Sequence, residues 1–341
     1  MTQTAIASSL DQPIVGMRAA SRVRPIFSIE GLSVSVPGRN GPVPLVTDVS
    51  LAVRPGECVG VVGESGCGKT VSVMSALGLM PRSTLIGGQV QLDGTDLLGA
   101  SERMLQTLRG KRVGMIFQDP QSSLNPVRTI GEQLAEPMML HLGLSAAAAR
   151  RRSIELLAMV GIPAAETRLK AYPHQISGGT CQRVMIAMAL GPKPEVLIAD
   201  EPTTALDATV QLQVLDLIKS IQRDTGLAVV IITHDMGVVA RICDRVNVLY
   251  AGRVVESRAV PDIFESPWHP YTKALLDCLP RAGQEAPRPI AGEVPLAGCA
   301  TAGCAFHPRC ASARPACATE APVASHRAGP DSLVACHHPH T

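Results

Sequence analysis

Eight consecutive residues, Gly63-Glu64-Ser65-Gly66-Cys67-Gly68-Lys69-Thr70, match the pattern G-x-x-x-x-G-K-[ST] at every fixed position. Such a run binds phosphate when it joins a strand to a helix. The glycines let the backbone curl until successive N–H groups point inward, and the helix that follows adds partial positive charge at its N-terminus. Lys69 would then reach the β- and γ-phosphates of ATP, and the Thr70 hydroxyl would be a ligand for Mg²⁺. The flanks fit. Cys58-Val59-Gly60-Val61-Val62 is a short apolar run of the kind that makes a buried strand, and residues 71–77 can open a helix. Cys67 reads as a spectator thiol at a variable position, although a helix N-terminus can depress a thiol pKa.

Phosphoryl transfer to water also needs charge neutralisation, an oriented water and a base. Three further apolar runs end in polar residues that could supply them. Residues 113–117 end at Gln118, residues 196–199 at Asp200-Glu201, and residues 227–232 at Thr233-His234-Asp235. In parallel α/β sheets ligands lie beyond the carboxyl ends of the strands, so these three ends are expected to meet at the phosphates. There Asp200 would hold Mg²⁺, Glu201 would polarise the attacking water, Gln118 would touch metal and water, and His234 would hydrogen-bond the γ-phosphate. An isolated Asp-Glu pair or a lone His is ordinarily solvated surface; the phosphate loop changes that balance.

The elements that must position these residues can be read along the chain. Residues 1–25 form an arm. Residues 27–30 and 32–36 alternate as a strand bulged at Gly31, residues 37–44 are a turn-rich loop, and residues 45–53 return as a second strand. Residues 88–94 make a short strand closed by Asp93-Gly94. Residues 121–176 have helical patterns, with one helix over 146–160, and read as a helical insertion. Residues 210–221 are helical, and residues 246–257 form a hairpin through Ala251-Gly252. Near residue 260 the composition turns to Pro, Ala, Cys and His, which sets the domains at 26–260 and 261–341. A length of 341 residues suits two domains, and a composition 46% hydrophobic but 2% aromatic requires an aliphatic core. The net charge of +2 gives no basic field for nucleic acid. No apolar run nears the roughly 20 residues of a membrane span, and residues 1–25 lack the apolar stretch of a secretory signal. The ten cysteines of a protein that works where ATP is are then not expected to be disulfides.

Between Gln118 and Asp200 stands Ile176-Ser177-Gly178-Gly179-Thr180-Cys181-Gln182-Arg183-Val184, which resembles the signature motif of ABC-type ATPases. Asp200 resembles their Walker B aspartate, and Pro202-Thr203-Thr204-Ala205-Leu206-Asp207 resembles their D-loop. The order of motifs over 27–257 looks like a complete ABC nucleotide-binding domain. The resemblance implies an α/β P-loop NTPase fold with an inserted helical subdomain. It also implies a head-to-tail dimer with two ATP molecules between subunits, either copies or paralogues. Ser177, Gly178, Gly179 and Asp207 of one subunit would then serve the nucleotide on the other, where N–H groups opening a helix can bind a γ-phosphate. Residues 117–126 and 267–276 resemble stretches of the oligopeptide and dipeptide permease ATPases, within the peptide/nickel importer group. That implies a peripheral subunit on the cytoplasmic face of the cell membrane. It would hydrolyse ATP to drive two permease subunits, touched through residues 121–140, that take peptides from an external binding protein. A nickel or small-solute importer of the same group is the nearest alternative. A non-transport ABC ATPase acting on DNA or ribosomes is more remote, because the chain has one motif set and no heptad block. The chain departs from the family pattern at Thr180, where Gln is usual, at Cys181, where a basic or polar residue is common, and near Val36, where an aromatic often stacks on adenine.

Five cysteines fall between Cys299 and Cys336. The segment Gly303-Cys304-Ala305-Phe306-His307-Pro308-Arg309-Cys310 resembles the C-terminal extension of the same ATPases, which in some members carries a [4Fe–4S] cluster. The resemblance implies Cys304, Cys310, Cys317 and Cys336 as ligands and Cys299 as a spare; four thiolates equally suit Zn²⁺, and free thiols are the third reading. Residues 290–341 have few large apolar side chains, so a metal centre is expected to organise them.

Overall fold

Strands covered on both faces need apolar side chains at every position rather than alternate ones. Runs of this kind form the middle of the molecule in the computed structural model, which describes residues 23–204, 206–279, 289–295, 302–329 and 331–340. The strands are β1 (Phe27–Gly38), β2 (Gly41–Val53), β3 (Cys58–Val62), β4 (Leu85–Leu92), β5 (Thr95–Asp96), β6 (Val113–Ile116), β7 (Val196–Asp200), β8 (Ala228–Thr233), β9 (Arg245–Tyr250), β10 (Arg253–Ala259), β11 (Ser325–His326) and β12 (Leu333–Val334). The helices are α1 (Lys69–Ala76), α2 (Glu102–Leu108), α3 (Pro120–Ser123), α4 (Ile130–Leu142), α5 (Ala146–Met159), α6 (Ala165–Arg168), α7 (Gly178–Leu190), α8 (Ala208–Thr225), α9 (Met236–Ile242), α10 (Val260–Glu265), α11 (Pro270–Asp277) and α12 (Pro315–Thr319). Most of the N-terminal arm, residues 1–22, and Cys299 lie outside the described residues.

The larger sheet has the order β11-β12-β10-β9-β3-β8-β7-β6. From β9 to β6 its neighbours run parallel. Every residue of β3, β7 and β8 is buried. Alternation along these strands divides the core in two. Val59, Val61, Ile198, Val230 and Ile232 pack with α1 and the smaller sheet, whereas Val62, Leu197, Ala199, Val229 and Ile231 pack with α7, α8 and α9. The register carries the consequence for function. Val62 lies beside Thr233, Ile232 beside Asp200, and Ala199 beside Ile116. The carboxyl ends of β3, β6, β7 and β8 therefore emerge at one edge.

The smaller sheet is antiparallel, in the order β2-β1-β4-β5. Its bulge lies at Gly31, where φ is 60° and the pairing of β1 shifts. The segment read as a loop over 37–44 is mostly strand: β1 and β2 continue to a turn at residues 39–40, with Pro37 opposite Pro42. Proline is tolerated there because β2 is an edge strand and the β1–β4 pairing has already ended at Ser35. The hairpin from β9 to β10 turns through Ala251 and Gly252, both at positive φ.

Helices α3 to α6 fill most of the chain between β6 and α7. A capping box of Thr129 and Glu132 starts α4, and Gly143 at φ 66° ends it. The chain beyond residue 300 joins the larger sheet: Leu333 and Val334 of β12 pair with Ser257 and Glu256 of β10. Among the described residues no helix is long and apolar enough to cross a membrane.

Candidate functional site

The phosphate loop leaves β3 at Gly63 and enters α1 at Lys69. Two of its glycines have no substitute. A Cβ on Gly63 would lie 2.3 Å from the Leu249 carbonyl oxygen, and Gly68, at φ 101°, caps α1 in the left-handed region with Leu45 and Val46 against it. No side chain caps α1, so its first N–H groups are left to a ligand. The buried Lys69 ammonium donates to the carbonyls of Gly63, at 2.7 Å, and Glu64, at 3.0 Å. Ser65 and Gly66 are exposed at the crest of the loop. Cys67 is buried, and burial pushes its thiol up despite the pull of Lys69.

Behind the loop the strand ends come together. Thr70 Oγ1 donates to Asp200 Oδ1 at 3.1 Å. Burial holds the Asp200 carboxyl above its ordinary range; the Glu201 charge adds to this, while Thr70 and Lys69 oppose it. Glu201 follows at φ 47°, a conformation that costs a non-glycine residue energy. Its N–H is tied to the Ile232 carbonyl at 2.8 Å. Its carboxylate accepts from Gln118 Nε2 at 2.9 Å and Thr204 Oγ1 at 2.8 Å, and lies 3.2 Å from His234 Nδ1. Burial pushes the Glu201 pKa up, but the Thr204 and His234 contacts outweigh it and the net direction is down. His234 keeps 58% of its side chain exposed, on the solvent side of Glu201. Thus Gln118, Asp200, Glu201 and His234, from three strand ends, form one polar cluster linked to the phosphate loop through Thr70.

Other residues singled out from the sequence lie elsewhere. Ser177 caps α7, accepting from the Thr180 N–H at 3.3 Å, and its hydroxyl lies 2.9 Å from that of Thr180. Ser177 and Gly179 border a shallow cavity with Ile162, Arg183 and Val210, without any residue of the phosphate loop. Asp207 caps α8 through the N–H groups of Thr209 and Val210, both at 3.0 Å. Cys181 is fully buried, its thiol directed at the Pro173 carbonyl. Within one chain, then, Ser177, Gly178, Gly179 and Asp207 do not join the Lys69 cluster.

Three contributors were not legible in the sequence. Thr204 grips Glu201 as described. Arg309 forms two hydrogen bonds with the Glu64 carboxylate, at 2.7 and 2.9 Å, and Tyr271 Oη accepts the Glu64 N–H at 2.9 Å. A cavity of about 460 Å³ opens beside Gly66, walled by Leu45 and Tyr250 on one side and by Ala305 and Val323 on the other. The segments that hold Thr204, Tyr271 and Arg309 stand out in the sequence by resemblance, but nothing in them points to Glu201 or Glu64.

The cysteine-rich end requires a correction. Cys304, Cys310, Cys317 and Cys336 border one small cavity. Among the described residues, however, no group of three or more His, Cys, Asp or Glu side chains is placed to hold a metal ion. Burial pushes the thiols of Cys304, Cys310 and Cys336 up, the last to about 11. The expectation of a [4Fe–4S] cluster, and of zinc in its place, does not stand. The premise behind it fails as well, because the segment is organised by docking. Phe306 is 2% exposed and packs on Tyr250 and Tyr271, with ring centroids 5.2 and 5.3 Å apart. Asp331 meets Arg54 at 2.9 Å, and the Ala335 and His340 N–H groups donate to Val255 and Trp268.

Comparison with known proteins agrees with this geometry. The ABC transporter family matches residues 46–204, and the family described as oligopeptide/dipeptide transporter, C-terminal region, matches residues 255–317. The chain is 48% identical over 293 residues to a probable peptide ABC transporter ATP-binding protein, y4tR, of Sinorhizobium fredii, covering 84% of this chain and 87% of that protein. It is 44% identical over 316 residues to the oligopeptide transport ATP-binding protein OppD of Salmonella typhimurium, covering 92% and 94%. Among solved structures it resembles the dimeric, post-hydrolysis ATP-binding cassette MJ0796 bound to ADP and Pi. The TM-score is 0.62 at 27% identity, over 69% of this chain and 98% of the other.

Proposed function

This chain belongs to the ATP-binding proteins of the ABC oligopeptide/dipeptide transporters, and from that premise we propose how its residues hydrolyse ATP and couple hydrolysis to peptide uptake. It is an ABC ATPase whose hydrolysis drives peptide import; a nickel or small-solute cargo is not favoured, since the relatives are named for peptides. The loop N–H groups and Lys69 bind the phosphates. Thr70 and Asp200 fit Mg²⁺: they pair hydroxyl and carboxylate oxygens 3.1 Å apart, and among the described residues no cation lies as close to the buried carboxylate as the Thr70 hydroxyl. Bound there with the nucleotide, Mg²⁺ would neutralise charge on the β- and γ-phosphates.

One observation carries the assignment of the base. Glu201 stands one residue past Asp200 in a strained conformation, with its carboxylate fixed by Gln118, Thr204 and His234. A depressed pKa keeps it ionised and able to orient and polarise a water, with His234 at hand for the γ-phosphate and Gln118 linking the base to α3 and α4. The test is Glu201→Gln in the assembled transporter. ATP binding is expected to persist while turnover falls by about 100-fold or more, the scale of losing a general base. Turnover near that of the parent would remove Glu201 from the role.

The same reading extends to the partners. Two chains, or this chain and a paralogue, associate head to tail so that Ser177, Gly178 and Gly179 of one meet the nucleotide on the other, with Asp207 at the same interface. Support comes from the separation of these residues from Lys69 within one chain and from the dimeric state of the MJ0796 structure. The helical insertion over 121–176 contacts the permease through residues 121–140. Met139 and Leu140 are exposed there beside a cavity of about 710 Å³. Two permease subunits and an external binding protein complete the importer, with this ATPase peripheral on the cytoplasmic face. The ATPase body spans 26–260, and residues 261–341 are an extension whose described part docks on it.

A further inference from the structure

Glu64 occupies a position of the phosphate loop that the motif leaves free, yet it is the most heavily tethered residue of that loop. Its carboxylate is forked by both terminal nitrogens of Arg309, at 2.7 and 2.9 Å. Its N–H is given to Tyr271 Oη at 2.9 Å, and its carbonyl takes the Lys69 ammonium at 3.0 Å. The two tethers come from residues 207 and 245 positions away, beyond the sheet core. Neither is a loose surface contact. The Arg309 side chain is 4% exposed, and its remaining donors are taken by the carbonyls of Ala291, at 2.9 Å, and Ile290, at 3.4 Å, and by Tyr250 Oη, at 3.3 Å. Tyr271 is fully buried, with its ring 4.6 Å from that of Tyr250 and 5.3 Å from that of Phe306.

We propose that Arg309 and Tyr271 are positioning residues for the phosphate loop, and that through them the C-terminal segment sets the affinity of the chain for nucleotide. The inference rests on the ATPase reading above and assigns that segment a part in it. Two effects act in the same direction. A loop held at Glu64 presents its N–H groups already aimed, so less ordering is required when phosphate binds. Arg309 also neutralises a carboxylate that would otherwise stand unpaired in a loop that must accept a polyanion. A lysine could not reproduce the planar fork, so Arg309→Lys should rescue only part of the effect.

The experiment is a double-mutant cycle on the full-length chain, read as ATP KM and kcat and as nucleotide affinity by direct titration, with thermal melts alongside. Arg309→Ala is expected to raise KM about tenfold, with kcat within about threefold; Glu64→Ala, which removes the unpaired charge together with the tether, should raise it less, and the double variant should be no worse than Arg309→Ala alone. Tyr271→Phe keeps the ring packing and removes only the hydroxyl acceptor. It should raise KM about threefold at an unchanged melting temperature. Lys69→Ala separates the two levels of the proposal: if it leaves ATP binding intact, the ATPase reading fails. If Lys69→Ala abolishes binding but Arg309→Ala and Tyr271→Phe leave KM within twofold, the positioning role is overturned. Fully additive effects of Arg309→Ala and Glu64→Ala would overturn it too, because the pair would then not act as a unit.

Discussion

Two glycine-containing helix N-termini are finished in opposite ways in this chain. At α1 the cap is Gly68 in a left-handed conformation, no side chain accepts from the first turn, and the loop before it is enclosed by Leu45, Val46 and Leu249. At α7 the cap is Ser177, whose own hydroxyl already accepts from Thr180, and a Cβ on Gly178 would meet nothing within 4 Å. Gly63 and Gly68 of the phosphate loop are thus demanded by the chain's own fold. Gly178 is not, which is what a residue needs if it must admit a ligand or surface from another molecule. The difference fits the proposed reading, in which one anion site is completed in cis and the other is only half of a site.

The sharpest way to break this comparison is to add the same methyl group to both places. Gly68→Ala should cost about 1–3 kcal/mol of stability, because alanine must adopt φ near 101° against Val46 and Leu45. Gly178→Ala should leave the melting temperature unchanged or slightly raised, since alanine is the better helix former, and should leave ATP binding to the lone chain intact. In the assembled transporter its turnover should nevertheless fall, by about tenfold or more if one hydrogen bond to a phosphate is weakened. Unchanged turnover would mean that no partner's nucleotide reaches α7.

A smaller effect sharpens the cis side. The Asp200 pKa is raised, so the folded state favours the protonated carboxyl and loses stability as pH climbs above the ordinary aspartate value of 3.8. Asp200→Asn, which keeps an acceptor for Thr70, should therefore raise the melting temperature near pH 7. The gain should shrink to nothing as pH falls below 3.8. Glu201 has the opposite sign. Its contribution is present above its ordinary value of 4.5 and is lost as pH falls through the depressed folded value. A destabilised Asp200→Asn at neutral pH would show that the charged carboxylate is compensated. The smallest expected change is at α7: Ser177→Ala removes one cap and should cost about 1 kcal/mol, measured by denaturant titration, with no effect on the Thr70–Asp200 side.

Much of the phosphate side was legible because its information is local. A strand of unbroken apolar residues announces itself, and the residue that follows it must lie at the sheet edge; hence Gln118, Asp200 and His234 could be placed before any contact was seen. The turns at Asp93-Gly94 and Ala251-Gly252 could be read for the same reason, from residues that tolerate positive φ. The run over 37–44 was misjudged because its prolines and glycines suggest a loop, whereas edge pairing allows a strand. The cysteine segment was misjudged because four thiols in a poorly apolar stretch suggest a metal, and nothing local reveals that Phe306 will find Tyr250 and Tyr271.

By itself the sequence determined the phosphate loop, the strands that end in acid, amide and imidazole, the glycines at the turns and the helical character of the middle third. These depend on periodicity and backbone freedom, which act over a few residues. Tertiary structure alone decided that Glu201 would sit strained between Gln118, Thr204 and His234, that Ser177 would stand apart from Lys69, and that Arg309 would reach Glu64 across 245 positions. Strand order and docking set those distances. Pairing energies between residues far apart in the chain leave no periodic trace, because each depends on the two surfaces that the completed sheet brings face to face.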